Sequence, residues 1–352
     1  MATTKPGDSQ QRVLLVRPTA LGDVVRTVPA LVTLRAALPD AQIDWLINEE
    51  LVDAIRHHPA LNDVVPFPRR RFALWWRQPR VVAEIFQWVQ DLRQGQYDTV
   101  IDLQGLLRSA MMARLTGAAH RVGMANAREF GYLAYNRRFP IDRALHAVDQ
   151  VQELLRAAGY TPKYDMRLYL DPDDQQWLDK FLAKHIGLGN SYVIIAPTAR
   201  WRCKCWPIGR YLHVAHRLVD QYEAKIIVLA SAAEQRYISP LKKAMVHHAI
   251  CPQTTVGQMM ALISRSRLVV CNDSAPLHVA VGFDRPIVTI FGPTNPQLVG
   301  PYQRSDSVVC PAGVGGSVRY RRHRNDQSVI RQVSVTMVWE KIEKELRISC
   351  VR

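Results

Sequence analysis

The segment RVLLVRPTALGDVVRTVPALVTLRAALPD, from Arg12 to Asp40, limits what the chain can fold into more than any other stretch. Val13 to Val16 form a continuous apolar run of strand length, and Arg17 to Leu21 form a short loop. Val24, Val25, Val28, Leu31, Leu34 and Leu38 then recur at helical spacing. A buried strand feeding a helix through a tight loop is the opening unit of an open α/β sheet, whose ligands bind beyond the strand C-terminal ends. Gly22 and Asp23 stand where that helix begins. Glycine lets another molecule come close to the backbone. A carboxylate there serves either as a helix cap or as a base at the mouth of a binding cleft. The residues themselves leave both roles open.

The alternation continues along the chain. Gln42 to Ile47, Asp63 to Phe67 and Thr99 to Asp102 read as strands, Arg71 to Arg93 as one long amphipathic segment, and His146 to Ala158 as a helix closed by Gly159. Tyr160 to Asp174, with Pro162 and Pro172, reads as a linker. The pattern then restarts with strands at Tyr192 to Ala196, Lys225 to Ala230, Leu268 to Cys271 and Ile287 to Phe291. Strands alternating with helices imply parallel sheets, and 352 residues suit two domains. Two α/β halves of similar size imply a cleft. A last helix, Val335 to Leu346, carries an apolar face of Val335, Val338, Trp339, Ile342 and Leu346 behind Ser334.

Charge narrows the ligand class. Lys and Arg total 46 against 31 Asp and Glu, a net charge of +15, which points to an anionic partner. Arginine clusters at 69–71, 137–138 and 319–324 suit phosphate and carboxylate. The six cysteines are scattered and read as reduced thiols, not a zinc site. The polar start MATTKPGDSQQ is not a secretory leader, and no apolar run reaches the ~18 residues of a membrane span. A cytoplasmic location is expected.

Three loops of the second half carry the chemistry. Ile194 to Pro207 offers Thr198, Arg200, Arg202 and Lys204 ahead of a helix start, the makings of a phosphate cradle. Val269 to Gly282 opens a helix with Asn272-Asp273-Ser274 and places His278 in an apolar frame. Ile290 to Gln297 is a Gly-Pro turn closing a strand. Three such loops on one sheet suggest a nucleotide-type ligand. Neither a G-x-G-x-x-G fingerprint in the first half nor a Walker A loop is present, which disfavours a dehydrogenase or P-loop enzyme.

With these residues in view, the chain resembles the lipopolysaccharide heptosyltransferases, the ADP-heptose-dependent transferases of glycosyltransferase family 9. The resemblance is carried by ALGDVVRTVPAL, DLQGLLRS, APTAR with KCWP, NDSAPLHVAVGFDRPIVTIFGPTNP and RQVSVTMVWEKI. It implies an α/β, GT-B fold of two Rossmann-like domains. Residues 1–165 would bind acceptor, 166–333 would bind nucleotide sugar, and the helix 334–352 would cross back to the first domain. It implies inverting transfer of heptose from ADP-heptose to a Kdo or heptose hydroxyl of the inner core, with Asp23 as general base.

The same resemblance implies donor contacts from Thr198, Arg200, Lys204, Glu234, Asp273, Ser274, Leu277, His278, Gly292, Pro293 and Thr294. Acceptor contacts would come from Gly22, Arg69, Arg70, Arg71, Gln104, Arg108, Arg137 and His146. No cofactor and no metal are expected, because basic groups can neutralise the diphosphate. The partners would be the nucleotide sugar and a lipid-linked anionic acceptor, with peripheral contact at the cytoplasmic face of the inner membrane and no nucleic acid. Two other readings remain: a GT-B enzyme using another nucleotide sugar, and a basic nucleic-acid-binding protein.

Overall fold

The computed structural model describes residues 10–187, 190–313 and 324–349. The chain divides into two compact units, Met1–Tyr169 and Leu170–Arg352, so the boundary falls just beyond the expected residue 165. Among the described residues each unit holds a six-stranded parallel sheet.

The first unit runs β1 (Arg12–Val16), α1 (Leu21–Ala37), β2 (Gln42–Asn48), β3 (Asp63–Phe67), α2 (Arg69–Phe72), α3 (Pro79–Gln94), β4 (Thr99–Asp102), α4 (Leu107–Leu115), β5 (His120–Met124), β6 (Arg137–Phe139) and α5 (Ala147–Ala157). Its strand order is β3-β2-β1-β4-β5-β6. Val13 to Val16 are wholly buried, as expected for a central strand covered on both faces. The order reverses between β1 and β4, where Val16 lies beside Asp102. The first turn of α1, with Asp23, and the loop with Gln104 therefore flank one topological switch point, the place where open α/β sheets bind ligands.

The second unit repeats the plan with α6 (Pro172–His185), β7 (Tyr192–Ala196), α7 (Ile208–Tyr222), β8 (Lys225–Val228), α8 (Gln235–Ala244), β9 (Ala249–Ile250), α9 (Val256–Ser264), β10 (Leu268–Asn272), α10 (Ala275–Gly282), β11 (Ile287–Ile290), α11 (Pro296–Val299), β12 (Val308–Val309) and α12 (Val335–Ser349). Its order, β9-β8-β7-β10-β11-β12, reverses between β7 and β10. Lys204 follows β7 and Asp273 follows β10.

The structure departs from the sequence pattern at two points. The segment 71–93 is not continuous: α2 ends at Phe72, and α3 restarts at Pro79, with Gln78 held extended before the proline. The short edge strands β6, β9 and β12 escape periodicity because two or three residues carry no readable pattern and are held by their neighbours. The apolar face of α12 is buried within the second unit. Val338, Trp339, Ile342 and Leu346 belong to the second unit's core, with Val214, Leu218, Val288 and Ile290. The approach to α12 is tied there too, because Trp206 Nε1 donates to the Val333 carbonyl at 2.9 Å.

Ile342 is fully buried in that core. Ile342→Ala is expected to destabilise the second unit by about 2–5 kcal/mol, read as a shift in its urea transition. An unshifted transition would remove α12 from that core.

Candidate active site

At the first switch point, Asp23 occupies the third position of α1 and accepts from the Ala20 backbone N–H at 3.4 Å. It thus helps cap the helix, although Ala20 is the cap residue. The carboxylate is also clamped by two arginines. Arg26, one turn on, donates from Nη2 to Oδ1, and Arg17 Nη2 lies 3.5 Å from Oδ2. Burial alone would raise the Asp23 carboxyl. Arg17, Arg26 and the Ala20 N–H outweigh it and hold the group at about 2, below its ordinary 3.8. Asp23 therefore stays ionised, and partly exposed, throughout the neutral range.

Arg17 is held from the other side. It donates to the Leu103 carbonyl, and the charge of Asp102 also bears on it. Asp102 is fully buried; burial raises its carboxyl, opposed by the donors around it. It accepts Tyr135 Oη at 2.5 Å and the backbone N–H groups of Gln104 and Gly105 at 2.8 and 3.2 Å. Those bonds shape the turn that brings Gln104 to Thr19: Nε2 donates to Thr19 Oγ1 at 3.0 Å, and Oε1 accepts the Thr19 N–H at 3.2 Å. Gly105 takes the left-handed φ of +65° that this turn requires. Gly22, Asp23 and Gln104 are thus gathered at one strand-end site.

At the second switch point the three expected loops converge on Asp273. Lys204 Nζ donates to its Oδ2 at 2.6 Å, and Thr294 Oγ1 donates to the same oxygen at 2.7 Å. Both side chains of the ion pair are largely buried. Asn272 fixes the frame by accepting the Trp206 N–H at 3.0 Å. Gly292 is required by close approach: a Cβ there would stand 2.9 Å from Ile330 Cβ and 3.0 Å from the Cys203 carbonyl. Ser274 caps α10, whose Leu277 and His278 are buried, and Pro293 is buried beside Thr294. Thr198 is half-buried after β7, while Arg200 is exposed with its guanidinium 4.9 Å from the Trp201 ring centre.

Other expected residues have structural partners or lie elsewhere. Glu234 closes a capping box, its Oε2 accepting the Ser231 N–H at 2.8 Å and hydroxyl at 2.6 Å. His146 caps α5, with Nδ1 accepting the Val148 N–H at 3.1 Å. Arg70 pairs with Glu50, and Arg71 makes a two-pronged bond to Glu84 at 2.8 and 2.6 Å; with Arg69 they sit on exposed α2 after β3. Arg108 is exposed on α4. Arg137 is on the edge strand β6, three strands from β1 and so about 14 Å across the sheet. Of the arginine-rich 319–324 cluster, only Arg324 falls within the described residues, and most of the Gly/Arg-rich stretch 310–326 falls outside them.

Arg17, Arg26, Asp102 and Tyr135 were not among the expected site residues. The spacing of Arg26 three residues after Asp23 was an available signal. No group of three or more His, Cys, Asp or Glu side chains that could hold a metal ion occurs among the described residues.

Residues 85–323 match Glycosyltransferase family 9 (heptosyltransferase). Lipopolysaccharide heptosyltransferase 1 of Pseudomonas aeruginosa is 31% identical over 84% of this chain and 82% of its own length. The enzyme of the same name from Escherichia coli K12 is 27% identical over 92% and 99%. Among solved structures, E. coli heptosyltransferase WaaC with ADP-2-deoxy-2-fluoro heptose aligns with a TM-score of 0.74 at 25% identity, covering 95% of this chain and 99% of that one. A family 9 glycosyltransferase from Veillonella parvula shares the fold, with a TM-score of 0.81 at 22% identity over 98% and 100%.

The two-arginine clamp has a measurable consequence. Because Asp23 titrates lower in the folded chain than its ordinary 3.8, its ionisation stabilises the fold above that value, and the contribution is lost as pH falls through about 2. Arg26→Gln is expected to move the Asp23 titration up toward 3.8, followed by carboxylate carbon NMR. An unmoved titration would show that Arg26 does not hold the carboxylate.

Proposed function

The chain belongs to glycosyltransferase family 9, and from that premise we propose that it moves heptose from ADP-heptose to a sugar hydroxyl of the lipopolysaccharide inner core. The donor reading is supported by the WaaC structures solved with ADP and with an ADP-heptose analogue. The four relatives named heptosyltransferase 1 stand at 27–31% identity, against 23–24% for those named 2 and 3. We therefore favour the heptosyltransferase 1 reaction, on a Kdo-bearing acceptor.

The observation that carries this reading is the convergence of three sequence-distant loops on Asp273. Lys204 is the cation of that cluster, and an incoming diphosphate is the group that would draw its charge. Its ammonium, with the α10 N-terminus, would stabilise the departing ADP. Asp273, Ser274 and Thr294 would orient the donor sugar. Asp23 would take the acceptor proton. A carboxylate held at about 2 is always ready but accepts a proton reluctantly, so its protonation would accompany attack on the anomeric carbon, not precede it. One carboxylate in that role fits a single in-line displacement with inversion. Gly22 and Gln104 would border the acceptor hydroxyl, and the basic α2 would meet the acidic core sugars. Lys204 and neighbouring donors would meet the diphosphate charge without a metal. A lipid-linked acceptor would place the reaction at the inner face of a bilayer.

The reaction is tested by incubating purified protein with ADP-heptose or UDP-sugars, with and without Kdo-lipid A, in the presence of EDTA. Transfer from ADP-heptose alone is expected; consumption of UDP-sugars alone would overturn the donor assignment, and loss of turnover with EDTA the metal-free mechanism. Asp23→Asn is expected to lower kcat by about 10²–10⁴-fold while ADP still binds. Near-normal turnover would leave Asp23 as a helix cap. Lys204→Ala is expected to weaken ADP binding and lower kcat/KM by about 10²–10³-fold. Because this variant strips Asp273 of its counter-ion, its melt is read in parallel, and unchanged kcat/KM in folded protein would remove Lys204 from the site.

A further inference from the structure

The turn between α2 and α3, with the neighbouring faces of α3 and α4, carries exposed aromatic and apolar side chains to which the reaction above gives no role. The stretch RRRFALWWRQPR, residues 69–80, holds five arginines and no acid. Trp75 and Trp76, in the turn between α2 and α3, are 59% and 64% exposed, and Phe86 on α3 is 66% exposed. Leu107 and Met111 on α4 are also exposed. The three helices frame an apolar groove of about 520 Å³, lined by Phe67, Phe72, Trp88, Met111, Met112 and Leu115 among others. Large exposed indoles stand out, because isolated apolar side chains are common on a surface but a contiguous set with a groove marks a partner.

The mixture identifies the partner's chemistry. Tryptophan prefers the boundary between water and hydrocarbon, and arginine is drawn to anionic headgroups while its stem lies along apolar surface. Arg77 lies over the Trp76 ring at 4.4 Å, pairing the two in one unit. No helix among the described residues is long and apolar enough to cross a membrane, so contact of this kind is made from one side. We propose that the α2–α3–α4 face seats the protein on an anionic phospholipid bilayer, with Trp75, Trp76 and Phe86 entering the headgroup layer and Arg77 and Arg80 contacting the phosphates. The proposal rests on the lipid-linked acceptor reading for its purpose, but its physical basis is this face alone.

The test is sedimentation of the full chain with phosphatidylcholine–phosphatidylglycerol vesicles, against pure phosphatidylcholine vesicles and against single-stranded DNA. Binding to the anionic vesicles is expected, with blue-shifted tryptophan emission. Trp75→Ala/Trp76→Ala is expected to bind at least about tenfold more weakly. Arg77→Glu/Arg80→Glu is expected to lose about 25-fold on anionic vesicles, at roughly fivefold per basic residue. Both variants are expected to keep wild-type transfer to a delipidated, water-soluble Kdo acceptor. Vesicle binding that is absent, or unaltered in both variants, would overturn the proposal, as would DNA binding without vesicle binding. Failure to transfer to the soluble acceptor would instead count against the proposed reaction and leave the bilayer result standing.

Discussion

Where a parallel sheet reverses its strand order, adjacent strands send their connections to opposite faces and leave an open crevice at their C-terminal ends. Each unit of this protein has one such reversal, at β1/β4 and at β7/β10. The polar groups that matter most are placed by it. Arg17 and Gln104 come from the loops after β1 and β4, Asp23 from the first turn of α1, and Lys204 and Asp273 from the loops after β7 and β10. The wholly buried strands beneath make these positions rigid, so side chains far apart in sequence are held within hydrogen-bond reach. The polar groups stand on strand-end loops and the first turns of the helices that follow, and the fold supplies their registration.

The two carboxylates so placed differ in kind. Asp23 is partly exposed and faces two arginines, which favour its charged form over the neutral one. Asp273 is nearly buried and shares one oxygen between Lys204 and Thr294. A buried pair of this sort adds little net stability, but removing one partner strands the other charge at a cost of about 3–5 kcal/mol. The first arrangement keeps an open anion available to a hydroxyl. The second holds a cation and an anion together at a fixed point. Family membership makes the chain a glycosyltransferase.

Much of this was readable in the chain. The central strands announce themselves as unbroken apolar runs, and Asp23, Lys204, Asp273 and Thr294 stand out because each follows such a run. The arginines around Asp23 were harder to see. Arg26 lies on a helix, where an arginine normally faces water, yet only 9% of it is exposed. Asp102 reads as the end of a strand, and its role in shaping the Gln104 turn depends on Tyr135, which sequence spacing does not connect to it. Glu234 and His146 also accept backbone N–H groups at helix starts, a use that sequence position alone does not distinguish from ligand contact. The amphipathic pattern of α12 showed that one face is buried but could not say against which sheet.

In the proposed reaction one ionised carboxylate, Asp23, assists a single displacement at the anomeric carbon. The most direct measurement is the anomeric configuration of the product after a single turnover, read by proton–carbon NMR with ADP-heptose and a Kdo-bearing acceptor. A configuration inverted relative to the donor is expected. A retained configuration would require two successive displacements or attack from the leaving-group face, and either would contradict a single in-line displacement.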